Sequence, residues 1–179
     1  MNYHQIEEGM RMIMKGLDLD LSDPALSPTP ERYRRFLQEM FDEKEPKWAT
    51  FDEDYTDFIL LHNHEIWTLC PHHFIPVQMI VSLAYIPNGK VLGLSKLARV
   101  LHDANRAPVM QESFTKDVVN RIKHICRGTK DVAIYIDGQH GCMKIRGVKS
   151  SARLITYKCE GAFDTDPTMQ QRFFSLVKD

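Results

Sequence analysis

Between Ala49 and Pro87 the chain runs almost entirely in strand-forming segments, ATF, DFILL, EIWTL and QMIVSLAYI. This block restricts the fold more than any other feature, because β-branched and aromatic runs of this length must pair with one another to satisfy their backbone. Asn88-Gly89 closes the block with a strong turn signal. Helical periodicity surrounds it. Ile6, Met10, Ile13, Met14 and Leu17 mark a first amphipathic helix, which the proline-rich stretch DLSDPALSPTP interrupts. Thr29 is placed to cap a second helix with Pro30 at its first position, and Tyr33, Phe36, Leu37, Met40 and Phe41 form the stripe behind that cap. Downstream, Ser95 opens the helix SKLARVLHDAN, and Phe114, Val118, Ile122 and Ile125 mark a longer one ending near Gly128. DVAIYID and CMKIRGV read as further strands, and Asp166-Pro167 starts a terminal helix carrying Met169, Phe173 and Leu176. The order predicts one α+β domain over residues 1–179 with a largely antiparallel sheet, divided into a helical N-terminal part (1–47) and a core (48–179).

With 179 residues, 43% of them hydrophobic, such a domain can bury a core without disulfides or a structural metal. The net charge of −1, with both signs interspersed, argues against a general binder of nucleic acid or membrane surfaces. No apolar run approaches the roughly 20 residues of a membrane span, and the polar start MNYHQIEEGMRM does not read as a signal peptide. Four irregularly spaced cysteines are unlike a secreted disulfide framework, so a cytoplasmic location is expected.

One stretch asks for chemistry. In TLCPHHFIPV, Cys70 and His73 stand at C-x-x-H spacing, which lets a thiolate and an imidazole bend toward one ion. A third ligand has to come from elsewhere, and DGQHGCMKIRG offers His140 and Cys142, two residues apart and on one face if that segment is extended. Cys70, His73 and Cys142 would leave one coordination position of a zinc ion open, as catalytic rather than structural zinc does, and water bound there ionises near neutral pH. The competing reading makes Cys70 a small buried hydrophobe, as Cys126 and Cys159 are read. His62 and His64 in HNHEIW share a strand face and could pair on a metal, but with no cysteine or carboxylate constellation around them in sequence they read as half-exposed strand polars, and HNH here is no nuclease signature. The H-x-E and P-C-x-x-C pattern of the zinc deaminases is absent.

Taken together, TLCPHHFIPV, AYIPNGKVLGLSKLARV, VMQE and HGCMKIRGV, in this order and spacing, resemble GTP cyclohydrolase I, and SPTPERYRRFLQEMF and PKWATFDED resemble that family's helix and first strand. The resemblance runs from about Leu17 to the end. It implies the tunnelling fold, an antiparallel sheet with helices on one face that closes into a barrel with neighbouring subunits. It also implies a homo-oligomer, typically a decamer of two stacked pentamers with active sites between subunits. The implied reaction takes GTP and water to 7,8-dihydroneopterin triphosphate and formate, through attack at guanine C8, ring opening, deformylation and recyclisation.

The resemblance also assigns residues. Cys70, His73 and Cys142 would hold Zn2+. His72 and His140 would be catalytic histidines, suited to proton transfer because imidazole titrates near working pH. His140 would serve N7 and the formyl group, and His72 the ribose. Glu112, with Gln111 beside it, would accept the two adjacent N–H groups of guanine. Ser95 and Lys96 at a helix N-terminus, Arg99 one turn on, Arg146 and Arg32 from an adjacent subunit would hold the triphosphate. If Cys142 and Arg146 lie on one strand, they are about 13 Å apart, four strand rises.

Three features depart from the family pattern. Pro71 stands where an acid is usual, Ser113 where arginine is common, and SSARLITYKCEGAF lacks the usual threonine- and serine-rich texture. These departures motivate a second reading, a non-catalytic GTP-binding or zinc-stabilised assembly protein. A third is a related tunnelling-fold enzyme acting on a pterin or deazapurine; of these, the nitrile reductase relatives carry an E-S-K-S-x-K-like motif that is absent here.

Overall fold

The computed structural model describes residues 1–41, 48–105, 108–126 and 128–178. The chain forms two compact units, Met1–Glu43 and Lys44–Asp179. The last residues of the predicted helical part, 42–47, lie outside the described residues.

The first unit is a pair of helices, α1 (Tyr3–Gly16) and α2 (Thr29–Phe41). Asn2 caps α1 by accepting a hydrogen bond from the Gln5 N–H at 3.1 Å. Met14 is buried, and Arg34 joins the helices by donating to Glu7 at 2.9 Å with its guanidinium over the Tyr3 ring. Helix α2 begins one residue earlier than predicted, so Thr29 is helical and Pro30 is its second residue.

The second unit is built on a four-stranded antiparallel sheet in the order β2-β3-β5-β6, where β2 is Ile59–Leu69, β3 Pro76–Tyr85, β5 Val132–His140 and β6 Leu154–Glu160. Two short strands, β1 (Thr50–Asp52) and β4 (Lys90–Leu92), form a separate antiparallel ribbon. Side chains alternate between the two faces of the sheet. One face, carrying Val77, Met79, Val81, Leu83 and Tyr85 from β3 and Val132, Ile134 and Ile136 from β5, packs beneath α3 (Leu94–Ala104) and α4 (Gln111–Ile125) as the main core. Leu97, Val100 and Leu101 of α3 and Phe114, Val118 and Ile122 of α4 enter it at helical spacing, so the stripe predicted for α4 is the buried one. On the other face, Ala84 and Ala133 are small enough to admit Phe163 of α6 (Ala162–Thr165) and Phe173 of α7 (Pro167–Val177). Asp166 caps α7 by accepting from the N–H groups of Thr168 and Met169, with Pro167 at the first position as predicted.

The predicted strand CMKIRGV is not formed. Gly141–Lys144 is a short helical turn, α5, and a turn follows it. The reason is a missing partner. Strand β5 pairs with β3 as far as His140 opposite Val77, and the next residue of β3 is Pro76, which has no N–H to offer. At Gly141 a Cβ would fall 2.6 Å from the Pro76 carbonyl oxygen, so glycine lets the chain turn close against β3. The inference that His140 and Cys142 share a strand face fails with the strand, as does the 13 Å separation of Cys142 and Arg146.

Candidate metal centre

The centre starts from the turn that ends β2. The Cys70 carbonyl accepts from the N–H groups of His73 at 3.3 Å and Phe74 at 2.8 Å, while the Cys70 N–H donates to Ile75 O at 2.9 Å. Pro71 thereby occupies the second position of a four-residue turn, where its fixed φ is favourable and its missing N–H costs nothing. The turn sets Cys70 Sγ 3.7 Å from Nδ1 of both His72 and His73. Helical turn α5 then delivers Cys142 from the other side of the β3 end. Donor atoms of Cys70, His73 and Cys142 all lie within 4.8 Å of one another. Cys70 is buried, Cys142 half-buried and His73 exposed, so the trio is rooted in the core and open to solvent on one side.

These residues fit a zinc ion. Around a tetrahedral zinc with sulfur at about 2.3 Å and nitrogen at about 2.0 Å, neighbouring donors sit roughly 3.5 to 3.8 Å apart, and the Cys70–His73 separation already matches. Burial pushes the Cys142 thiol above its ordinary range, and the adjacent Cys70 adds to the shift. A divalent cation reverses that balance by favouring the thiolate.

His140, the last residue of β5, projects on the same face as α4. Its Nε2 lies 3.0 Å from Gln111 Oε1. Gln111 is buried at the start of α4, and its amide nitrogen donates to Leu154 O at 2.9 Å and Thr156 Oγ1 at 3.0 Å. Because Leu154 O can only accept, the amide orientation is determined, Oε1 must accept from His140, and Nε2 of His140 carries the proton. Its Nδ1 lone pair is left for other work. Burial lowers the His140 pKa, which favours the neutral ring, and the nearby Glu112 carboxylate opposes the shift. Gly138 makes the arrangement possible, since a Cβ there would lie 2.0 Å from Gln111 Oε1. The sequence reading placed Gln111 beside the guanine subsite. Its side chain makes three hydrogen bonds, to His140 and to β6, and the small residue two before His140 was the available clue to that contact.

Arg146 is not strung out along a strand but turns back on the centre, with Nη1 2.7 Å from His73 Nε2. Glu112 is exposed on the first turn of α4. Ser95, Lys96 and Arg99 begin α3, with Ser95 and Arg99 exposed. They do not join the centre within this chain. Helix α3 runs with its far end toward Cys70, since Asn105 donates to Trp67 O, while its start lies where the Leu92 N–H donates to Tyr85 Oη. Val77, opposite Thr68, and Tyr85, opposite Ile59, are separated by about 26 Å of strand. Arg32 is exposed on α2 in the other unit.

One pairing went unread in the sequence. His64 Nε2 and His102 Nε2 are 3.4 Å apart, and burial holds both pKa values below 6.5. A register shift between Leu61 and His64, with Asn63 at φ 53°, breaks the alternation that would have put His62 and His64 on one face.

Residues 6–178 match the family GTP cyclohydrolase I. The GTP cyclohydrolase 1 of Clostridium perfringens (strain 13 / Type A) is 33% identical over 179 residues, covering 97% of this chain and 96% of the relative. That of Geobacillus sp. (strain WCH70) is 34% identical over 184 residues, covering 99% and 97%. Among solved structures, the archaeosine synthase QueF-Like in the apo form aligns with 66% of this chain and 97% of its own, at 16% identity and a TM-score of 0.44. A match across nearly the whole length, joined to relatives this similar end to end, means that the chain belongs to the GTP cyclohydrolase I family.

Proposed function

We propose that this chain is the subunit of a zinc-dependent hydrolase that converts GTP and water to 7,8-dihydroneopterin triphosphate and formate. The observation that carries the reading is the meeting of Cys70, His73 and Cys142, three soft or borderline donors from two distant segments, within 4.8 Å. When bound, zinc would supply Lewis-acid activation of water near neutral pH.

The chain's own groups account for the rest. His140, fixed as the Nε2–H tautomer by Gln111, presents a basic Nδ1 for proton transfer at the imidazole of guanine. His72, beside Cys70, would act on the ribose side. Glu112 would accept N1–H and the exocyclic amine of guanine together. The start of α3, with Ser95, Lys96 and Arg99, offers the positive end of a helix and basic side chains to a triphosphate, joined by Arg146 and by Arg32 of another copy.

An oligomer follows from the same reading, because the metal-binding and anion-binding ends lie at opposite ends of the sheet. The outer strands β2 and β6 have no further partner among the described residues, and Trp67 on one and Leu154, Ile155 and Tyr157 on the other are exposed. Open edges with apolar side chains favour pairing with a second copy, and a ring of such pairings, stacked as a decamer in the cytoplasm, is the arrangement we favour. In this reading residues 1–179 act as one catalytic domain.

The test is direct. Zinc-loaded protein incubated with GTP should release formate and yield a fluorescent pterin after oxidation. GTP-dependent heat protection without formate would instead support a non-catalytic binder.

A further inference from the structure

Arg146 and His73 support a further inference, which rests on the reading of Cys70, His73 and Cys142 as metal ligands. Arg146 Nη1 stands 2.7 Å from His73 Nε2. A guanidinium has five N–H donors and no acceptor, so Arg146 donates and Nε2 must present a lone pair. A neutral imidazole has only one such lone pair, so the ring proton resides on Nδ1, where it faces Cys70 Sγ at 3.7 Å. His73 has therefore committed to Arg146 the one electron pair it could give to a metal.

Both routes to metal binding break that contact. An ion bound at Nε2 takes the place of Nη1. An ion bound at Nδ1 displaces the proton to Nε2, which then confronts the guanidinium as donor against donor. We propose that Arg146 and the metal compete for His73, so that metal loading releases Arg146 to the triphosphate of the substrate. The backbone around Arg146 is tied, with Lys149 N–H donating to Arg146 O at 3.2 Å and Ser150 N–H to Met143 O at 3.1 Å. Release therefore requires only the side chain, which is exposed, to swing. Among the described residues no carboxylate pairs with Arg146, so the freed guanidinium is uncompensated and open to an anion. Linkage makes the effect reciprocal: a bound triphosphate that draws Arg146 away makes His73 a better ligand.

The experiment uses the full-length chain under reducing conditions. Zinc affinity is measured calorimetrically for wild type, Arg146→Ala and Cys142→Ala. Inorganic tripolyphosphate is then titrated into metal-free protein and into protein preloaded with zinc and cleared of free ion. Arg146→Ala should bind zinc roughly three- to tenfold more tightly, the worth of one solvent-accessible hydrogen bond. In wild type, zinc should strengthen tripolyphosphate binding, and in Arg146→Ala that gain should shrink by a similar factor. Zinc affinity unchanged or weakened in Arg146→Ala overturns the competition, as does an undiminished zinc gain. Wild type that binds zinc no better than Cys142→Ala overturns the metal centre itself, and the two failures are thereby told apart.

Discussion

The two ends of the four-stranded sheet are organised on different principles. At one end, Cys70, His73, Cys142, His140 and Gln111 each have a defined neighbour, and the backbone that carries them is locked by turns and by close approach at Gly138 and Gly141. At the other, Ser95, Lys96 and Arg99 sit at the start of α3, and among the described residues neither cation is paired with a carboxylate. The contrast follows from what each end would bind. Metal ligation tolerates errors of only a few tenths of an ångström, so its donors must be preorganised within one chain. Phosphate recognition by helix N–H groups and long basic side chains tolerates slack.

The comparison can be broken most severely at the metal end. Cys142→Ala should remove bound zinc and cut formate release by more than about a thousandfold, about 4 kcal/mol of barrier, while the half-buried position leaves the fold intact by circular dichroism. Retained zinc by elemental analysis would refute the ligand set.

At the other end the losses should be smaller and rescuable. Arg99→Ala should weaken GTP binding about tenfold or more through KM. If the two ends meet only between copies, Cys142→Ala and Arg99→Ala subunits unfolded and reassembled together should regain activity at roughly a quarter of their sites. Mixed assemblies no better than either parent would mean that each chain completes its own site.

Gly138→Ala tests preorganisation without touching a proposed ligand. Its Cβ would collide with Gln111 Oε1, so His140 loses its orienting acceptor. We expect about 1–3 kcal/mol of destabilisation by denaturant titration and a lower kcat at unchanged zinc content.

The smallest effect is in pH. His64, His102 and His140 all have folded pKa values lowered from 6.5, chiefly by burial. The unfolded chain then binds more protons than the folded one once pH drops below 6.5, so stability is full above that value and declines beneath it. Thermal scans from about pH 7 to about pH 5.5 should show Tm falling, with a shallower fall in His64→Gln.

Much of this is legible in the sequence. The strand block 49–87, helix α3, the stripe of α4 and the Asp166-Pro167 start all formed where periodicity and capping chemistry put them, because each is a local property of consecutive residues. The meeting of Cys70, His73 and Cys142 was legible too, although part of the stated reason was wrong: Cys142 reaches Cys70 from a helical turn, not from a strand face. CMKIRGV alternates well enough to pass for a strand, and nothing within it reports that β3 has run out of pairing groups at Pro76. Pro71 looked like a defect and proved to suit its turn.

The sequence alone was enough to specify which chemistry is carried: thiols and imidazoles at metal-binding spacing, a carboxylate opening α4, cations opening α3. Such information lies in residue type and short-range order. Tertiary structure decided which groups meet and on what terms, turning Arg146 onto His73, spending Gln111 on His140, joining His64 to His102 and setting the cations of α3 a strand's length away from the thiols. Those outcomes depend on where partner strands end and how closely backbones approach, and both are long-range consequences of packing that no local window contains.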